Sequence, residues 1–164
     1  NHRTDQYGGS IENRAPFLLE VVEAVTREIG GGRVGIRLSP VTPANDASEP
    51  DPQPIFNHVA EKLAAFGLAY IHVIEGATGG ARDYQQGDKP FDYAAFKQAH
   101  RAAGGKAAWM VNNGYDRESA ADAVESGRAD LVRRLREHAA LNEPNRNTFY
   151  GGKGAGYTDY PALA

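Results

Sequence analysis

Two places in the sequence carry residues that could bind a charged ligand. Arg37 interrupts the apolar run RVGIRLSP, where a permanent cation is costly unless it meets an anion or a strong acceptor. Asn112, Asn113 and Gly114 follow another apolar run, at a turn whose backbone N–H groups and helix dipole could hold a phosphate. Each signal is weak alone, because Arg37 could pair with a carboxylate such as Glu75 and NNGYD is also an ordinary turn sequence.

The other side chains that could be reactive indicate less about function. The five histidines stand singly, and no pair has the spacing of metal ligands, so no metal site is predicted. His72 lies within an apolar run and is expected to be structural, and Trp109 is expected to lie in the core. The absence of cysteine excludes disulfides and thiol nucleophiles.

Strand-like runs at residues 33–39, 69–75 and 107–112 are each followed by a helical pattern. Parallel strands joined by helical crossovers indicate an open doubly wound sheet or an eight-stranded barrel. A (β/α)8 barrel needs roughly 250 residues, so the 164 residues of this chain cannot close one alone. The pattern therefore predicts part of a (β/α)8 TIM barrel, an α/β fold.

The helical patterns have recognisable limits. A helix is predicted from about Ser10, with a kink or a later start at Pro16, and Asp116 is predicted to cap another. After SGRAD a barrel should supply a further strand, yet residues 131–139, LVRRLREHA, are predicted to form a helix. One strand and its loop are therefore expected to be skipped there, and the remainder is expected to be an extended tail.

Composition excludes several classes of function. The chain has a net charge of −3, with 41% hydrophobic and 24% charged residues, so nothing favours a nucleic-acid partner. No apolar run approaches the roughly 18 residues that a membrane span requires, and a cytoplasmic location is expected. The first residues contain no initiator Met and no signal peptide, so the chain is expected to start inside a longer sequence.

Four segments resemble one family. NHRTDQYGGSIENR, GIRLSP, VNNGYD and FYGGKGAGYTDYPAL resemble the C-terminal half of the old yellow enzymes, FMN-dependent ene reductases built on a (β/α)8 barrel. The resemblance covers nearly the whole chain and implies that the three predicted strands are strands five, six and seven of that barrel.

The resemblance also implies roles for individual residues. FMN is the implied cofactor, with NADPH or NADH as the reductant. Arg37 is expected beside the pyrimidine side of the flavin, Asn112, Asn113 and Gly114 at its phosphate, and Tyr150 near the substrate. The family often has Gly where Asn113 stands, and Asn tolerates a positive φ, so the turn remains possible.

Two parts of the family barrel are not in the sequence. Strands one to four would supply the substrate-binding His/Asn or His/His pair and a proton-donating tyrosine, so no catalytic residue is predicted in this chain. Strand eight and a Gly-Arg or Gly-Lys phosphate-binding segment are expected between Asp130 and Leu131, where the sequence runs on directly. The prediction is thus one partial barrel domain over residues 1–164, with a segment deleted or disordered at that join.

The implied function is hydride transfer from NAD(P)H through FMN to an activated alkene or to a nitro or nitrate ester compound. Activity would require a complementary N-terminal half-barrel chain or a second copy as partner, along with a small-molecule substrate. The alternatives are a non-catalytic fragment of a split or cleaved barrel and, less favoured by the motifs, a barrel enzyme without flavin, for which Arg37 beside a phosphate turn would also be suitable.

Overall fold

The computed structural model describes residues 2–43, 49–78, 80–85 and 89–133. Within these ranges, four parallel strands form one sheet in the order β1-β2-β3-β4. The strands are β1 (Gly35–Leu38), β2 (Tyr70–Ile74), β3 (Ala108–Asn112) and β4 (Leu131–Arg133), and the helices are α1 (Ile11–Arg14), α2 (Pro16–Ile29), α3 (Pro52–Leu63), α4 (Tyr93–Ala102) and α5 (Arg117–Glu125). Because each strand pairs with the next one along the chain, the sheet has the strand order of a barrel wall.

The fourth strand corrects the sequence prediction. The three predicted strands are confirmed, but Leu131–Arg133 forms β4 instead of the start of a helix. Asp130 attaches this segment to β3, since its backbone N–H donates to the Trp109 carbonyl at 2.8 Å and its carboxylate accepts from the Trp109 N–H at 2.7 Å. Pairing with the free edge of β3 thus outweighs the local helical pattern. Residues 134–139 of the predicted helix and the tail beyond lie outside the described residues.

The helix limits follow from identifiable residues. α1 ends at Arg14 and α2 begins with Pro16 in its first turn, so the predicted interruption is confirmed. Proline is tolerated there because the first N–H groups of a helix have no partner within the helix. Asp116 caps α5 as predicted, and its carboxylate accepts from the Ser119 N–H at 2.8 Å.

The core lies on one face of the sheet. Alternate strand residues point towards the helices and are buried, among them Leu38, Ile71, Val73, Trp109 and Val111. Trp109 is 1% exposed and its ring centre lies 5.1 Å from that of Phe96 on α4, so its predicted core position is confirmed.

The opposite face of the sheet is here called the open face. It carries the alternate positions Gly35, Arg37, Tyr70, His72, Ile74, Ala108, Met110, Asn112, Leu131 and Arg133. Within the described ranges, none of these residues belongs to the hydrophobic core formed with the helices. In a closed barrel this face would point to the interior. No helix among the described residues has the length and apolar character needed to cross a bilayer.

Candidate functional site

One row of side chains crosses the middle of the open face. Strand pairing aligns Arg37 with His72, His72 with Met110, and Met110 with Leu131. Arg37 is exposed, and in the part of the chain that the structure describes no carboxylate forms an ion pair with it. The alternative pairing of Arg37 with Glu75 is not observed, so this guanidinium is available to a ligand on the open face.

His72 is the neutral neighbour of Arg37 in this row. It is 7% exposed, and its Nε2 atom has no hydrogen-bond partner among the residues that can be described. Burial lowers the pKa of His72, and the positive charges of Arg37 and Arg133 lower it further. The open face therefore combines two permanent cations with an uncharged imidazole, which favours an anionic or electron-rich ligand.

Arg133 was missed at the level of sequence because residues 131–139 were predicted to be helical. In the structure Leu131 and Arg133 are exposed and Val132 between them is half-buried, as in a strand with one covered face, but the sequence shows no matching alternation because Leu131 and Val132 are both apolar. Its Cα aligns with that of Asn112 at the carboxyl end of β3.

The 112–114 turn lies at the carboxyl ends of the strands. Asn113 has a φ of 99° and Gly114 a φ of 63°, so Asn113 adopts the positive φ expected of it. The Asn113 side-chain amide donates to the carbonyls of Glu75 and Ala77, at 2.6 and 2.8 Å. This amide is thereby committed to joining the turn to the end of β2, and a ligand would have to use the backbone of the turn.

Within the described residues, the backbone donors of the turn have no acceptor. Among the residues for which contacts are known, none accepts a hydrogen bond from the N–H groups of Asn113, Gly114 or Tyr115. Successive unpaired N–H groups in a left-handed turn form a concave site for an anion. The α5 N-terminus is less available, because Asp116 already caps it. The turn itself is thus the candidate phosphate site.

A buried hydrogen bond supports this turn from behind. Glu75 and Tyr115, 6% and 7% exposed, are joined by a bond of 2.6 Å in which the tyrosine hydroxyl donates to the carboxylate. Burial raises the pKa of Tyr115, and the bond to the Glu75 carboxylate raises it further, so the hydroxyl keeps its proton. Glu75 also donates its backbone N–H to the Asn112 carbonyl at 3.1 Å. Sequence reasoning missed this pair, since 40 residues separate its members.

Arg82 lies against the Tyr115 ring. Its guanidinium carbon is 4.5 Å from the ring centre, a cation–π contact, and its buried Nη1 atom has no hydrogen-bond partner in the described ranges. The remaining predicted ligand-binding residue, Tyr150, lies outside the described residues. No group of three or more His, Asp or Glu side chains suited to a metal occurs among the residues that the structure describes.

Comparison with known proteins identifies relatives over almost the whole chain. Residues 1–145 match the NADH:flavin oxidoreductase / NADH oxidase family. The chain is 41% identical to putative 12-oxophytodienoate reductase 5 of Oryza sativa subsp. japonica, covering 99% of this chain and 46% of that protein. It is 37% identical to a probable flavin mononucleotide-dependent alkene reductase of Leishmania infantum, with coverages of 99% and 45%.

Solved structures give the same picture. An old yellow enzyme homologue from Zymomonas mobilis superposes with a TM-score of 0.75 at 31% identity, covering 99% of this chain and 48% of the other. Morphinone reductase in complex with tetrahydroNAD gives a TM-score of 0.67 at 39% identity, with coverages of 100% and 45%. The fold is therefore part of a (β/α)8 barrel, and the chain spans about half the length of the relatives it matches. On this evidence, the chain belongs to the NADH:flavin oxidoreductase / NADH oxidase family.

Proposed function

We propose that this chain is the flavin-binding half of an FMN-dependent ene reductase. Completed by an N-terminal half-barrel, it would transfer a hydride from NADPH or NADH through FMN to an activated alkene or to a nitro or nitrate ester compound. The observation that carries the proposal is Arg37, which is exposed on the open face and has no acidic partner among the described residues. The chain that holds it matches a family of flavin oxidoreductases.

The residues present fit FMN at two points. Arg37 offers a permanent cation on the open face, and the 112–114 turn offers backbone N–H groups that have no acceptor among the described residues. The turn lies at the carboxyl ends of the parallel strands, the edge at which barrel enzymes bind their ligands, and Arg37 is the last residue but one of β1. FMN has a planar ring system and a phosphate tail. The ring matches the cation of Arg37, and the phosphate matches the anion-binding turn at residues 112–114.

FMN, when bound, supplies the redox chemistry by accepting and then donating a hydride. Arg37 would lie at the pyrimidine part of the ring, where negative charge collects on reduction, and its cation would favour the reduced form. The low pKa of His72 keeps a third positive charge away from this region at neutral pH. The 112–114 turn would fix the phosphate and thus the position of the ring over the sheet.

The chain requires a partner to act in this way. Its half-length coverage, its open face and the exposed apolar side of α2 all support a complementary half-barrel or a second copy. The substrate-binding pair and the proton donor would come from that partner, so no catalytic residue is assigned in this chain. A cytoplasmic location remains a prediction.

A missing internal segment is also proposed. The alignment with the rice protein runs over 181 residues, more than the 164 of this chain, so that relative has residues opposite gaps in the chain. Because all of β4, through Arg133, pairs with β3, the missing segment is proposed to follow Arg133 instead of lying at the Asp130–Leu131 join.

The second candidate is a non-catalytic fragment of such a barrel, and the half-length coverage favours it equally. Mass spectrometry of the purified protein shows whether a second polypeptide accompanies this one. The decisive experiment co-expresses the chain with the N-terminal half of the rice relative and measures bound flavin and NADPH oxidation by an α,β-unsaturated ketone. If only the two halves together retain flavin and reduce the substrate, the reductase function is supported. If the two halves assemble but retain no flavin, the chain is a non-catalytic fragment.

A further inference from the structure

We propose that Arg82 binds the phosphate of the flavin nucleotide at the 112–114 turn. The proposal rests on the proposed function in that the ligand is FMN, but it assigns to the loop after β2 a residue that neither the motifs nor the family match single out. The chemistry recognised is a phosphate monoester dianion.

The loop after β2 brings Arg82 to the turn. Gly76 has a φ of 67°, and a Cβ atom there would lie 2.3 Å from the Ala81 carbonyl oxygen and 2.4 Å from that of Arg82. Only glycine allows this approach, so the loop folds back onto the end of β2. At the turn, a Cβ atom on Gly114 would lie 3.6 Å from the Cβ atom of Arg82, an ordinary contact distance. The Cβ atom of Arg82 therefore lies beside the turn.

The Arg82 guanidinium is held in place by Tyr115 and has no acidic partner among the described residues. It lies 4.5 Å from the centre of the Tyr115 ring, which is itself fixed by the hydrogen bond to Glu75. Among the described residues, no carboxylate forms an ion pair with Arg82, and its buried Nη1 atom is without a hydrogen-bond acceptor. A buried guanidinium N–H left unpaired is unfavourable, and an anion removes that penalty.

The second cation on the same ring behaves differently. Arg128 lies 5.9 Å from the centre of Tyr115 and donates to the Asp122 carboxylate at 3.4 Å. Its charge is thus shared with an acidic partner, whereas that of Arg82 is available. This contrast selects Arg82 as the ligand-binding cation.

Cation and turn together match a phosphate. The backbone N–H groups of Asn113, Gly114 and Tyr115 provide fixed donors, and Arg82 adds a planar cation that suits phosphate oxygens. The Glu75–Tyr115 pair positions both, because it holds the turn through the Asn112 carbonyl and presents the ring on which Arg82 lies. No metal is needed for this arrangement.

The test compares FMN with riboflavin, which lacks only the phosphate. Binding is measured by quenching of flavin fluorescence, with the full chain alone and with the complementary half, for the native sequence and for Arg82→Gln. We expect the native protein to bind FMN more tightly than riboflavin. Arg82→Gln should weaken FMN binding about ten- to hundredfold and leave riboflavin binding unchanged. Arg27→Gln, which removes a cation from α2, is the matched control and should keep the native preference.

The outcomes separate this proposal from the proposed function. An unchanged ratio of FMN to riboflavin affinity in Arg82→Gln overturns the role of Arg82 while flavin binding stands. An equal loss of affinity for FMN and for riboflavin also overturns it, since that shows a structural effect. The expected result is accompanied by a urea unfolding midpoint that Arg82→Gln leaves unchanged. If the native protein binds neither FMN nor riboflavin, both alone and together with the complementary half, the flavin function itself fails. Inorganic phosphate should compete with FMN in the native protein and in Arg27→Gln, but much less in Arg82→Gln.

Discussion

The Tyr115 hydroxyl donates a hydrogen bond of 2.6 Å to the Glu75 carboxylate, joining the end of β2 to the turn after β3. Both side chains are buried. A buried carboxylate is costly without donors, so this bond determines how the two strand ends lie against each other. It links the stability of the sheet edge to the shape of the candidate phosphate site.

Tyr115→Phe tests this link. The change removes one oxygen and leaves Glu75 buried without its donor, so we expect the free energy of unfolding to fall by about 1–3 kcal/mol. Urea denaturation followed by circular dichroism measures the loss. Tyr84→Phe is the matched control, because Tyr84 is exposed and its change should have little effect. Equal midpoints for the two variants would show that the Glu75–Tyr115 bond does not stabilise the fold.

Arg37→Ala should weaken flavin binding and slow flavin reduction in the completed assembly. The guanidinium is expected to hold the electron-rich side of the flavin, and a hydrogen bond to a charged group contributes about 1.5–3 kcal/mol. A ten- to hundredfold loss of affinity is expected on this basis. Flavin content after gel filtration and stopped-flow reduction by NADPH measure the effect.

Arg37→Lys serves as the conservative variant. It keeps the charge but loses the planar fork, so part of the flavin content and of the reduction rate should be retained. If Arg37→Ala keeps native flavin content and the native rate of reduction, Arg37 does not contact the flavin and the open face has another purpose.

The sequence predicted the elements that depend on local pattern. β1 to β3, the break at Pro16 and the Asp116 cap all follow from periodicity or from the geometry of a single residue. β4 was missed because LVRRL fits a helical period and lacks the alternation of a strand, whereas the observed strand depends on the free edge of β3. Long-range pairing decides such cases, and no local window contains it.

The candidate site likewise contains residues that local sequence indicates and residues that depend on long-range contacts. Arg37 and the 112–114 turn were identified because a charged or turn-forming residue stands out against an apolar run. Glu75, Arg82 and Tyr115 were not, because their importance comes from contacts between segments far apart in sequence. The structure thus adds supporting residues around a candidate site whose ligand-binding residues stay a prediction.

Stability should fall as the pH drops below about 6.5, the usual pKa of histidine. His100 is buried, its Nδ1 atom is bonded to the Ala60 carbonyl at 2.9 Å, and its Nε2 atom has no partner within the described residues. Burial lowers the pKa of His100, opposed by the Ala60 bond and assisted by the charge of Arg101. The pKa of His72 is lowered as well. The unfolded chain therefore takes up protons first as the pH falls, and unfolding becomes easier.

His100→Asn isolates this contribution. The Asn side chain can still donate to the Ala60 carbonyl but cannot be protonated, so the fall in urea midpoint between pH 7.5 and pH 5.5 should be smaller than in the native chain (pH values chosen to bracket a usual pKa of about 6.5). His2→Asn, at an exposed position, is the control for the substitution itself. An identical slope for native and His100→Asn proteins contradicts the assignment.

Gly105→Ala should destabilise the chain by about 1–3 kcal/mol through overpacking. A Cβ atom at Gly105 would lie 2.2 Å from the Nε2 atom of His100, whose ring is held by its own hydrogen bond and cannot move away easily. Gly32→Ala is the matched control, since a Cβ atom there meets nothing within 4 Å. Thermal unfolding of both variants measures the difference, and equal melting temperatures would show that the His100 ring can be displaced freely.

The apolar side of α2 leads to the last prediction. Phe17, Val21, Val25 and Ile29 recur at every fourth residue, which places them on one side of the helix, and all four are exposed. In a completed barrel the preceding helix would cover this side, so the double change Val21→Lys with Val25→Lys should reduce assembly with the N-terminal half. Size-exclusion chromatography of the mixture measures assembly, and the same double variant alone should show less self-association. Val124→Lys on α5, a change at another exposed valine, is the control. Assembly unaffected by the α2 changes would show that this side of α2 does not contribute to the contact between the two halves, and would favour contact through the unpaired strand edges instead.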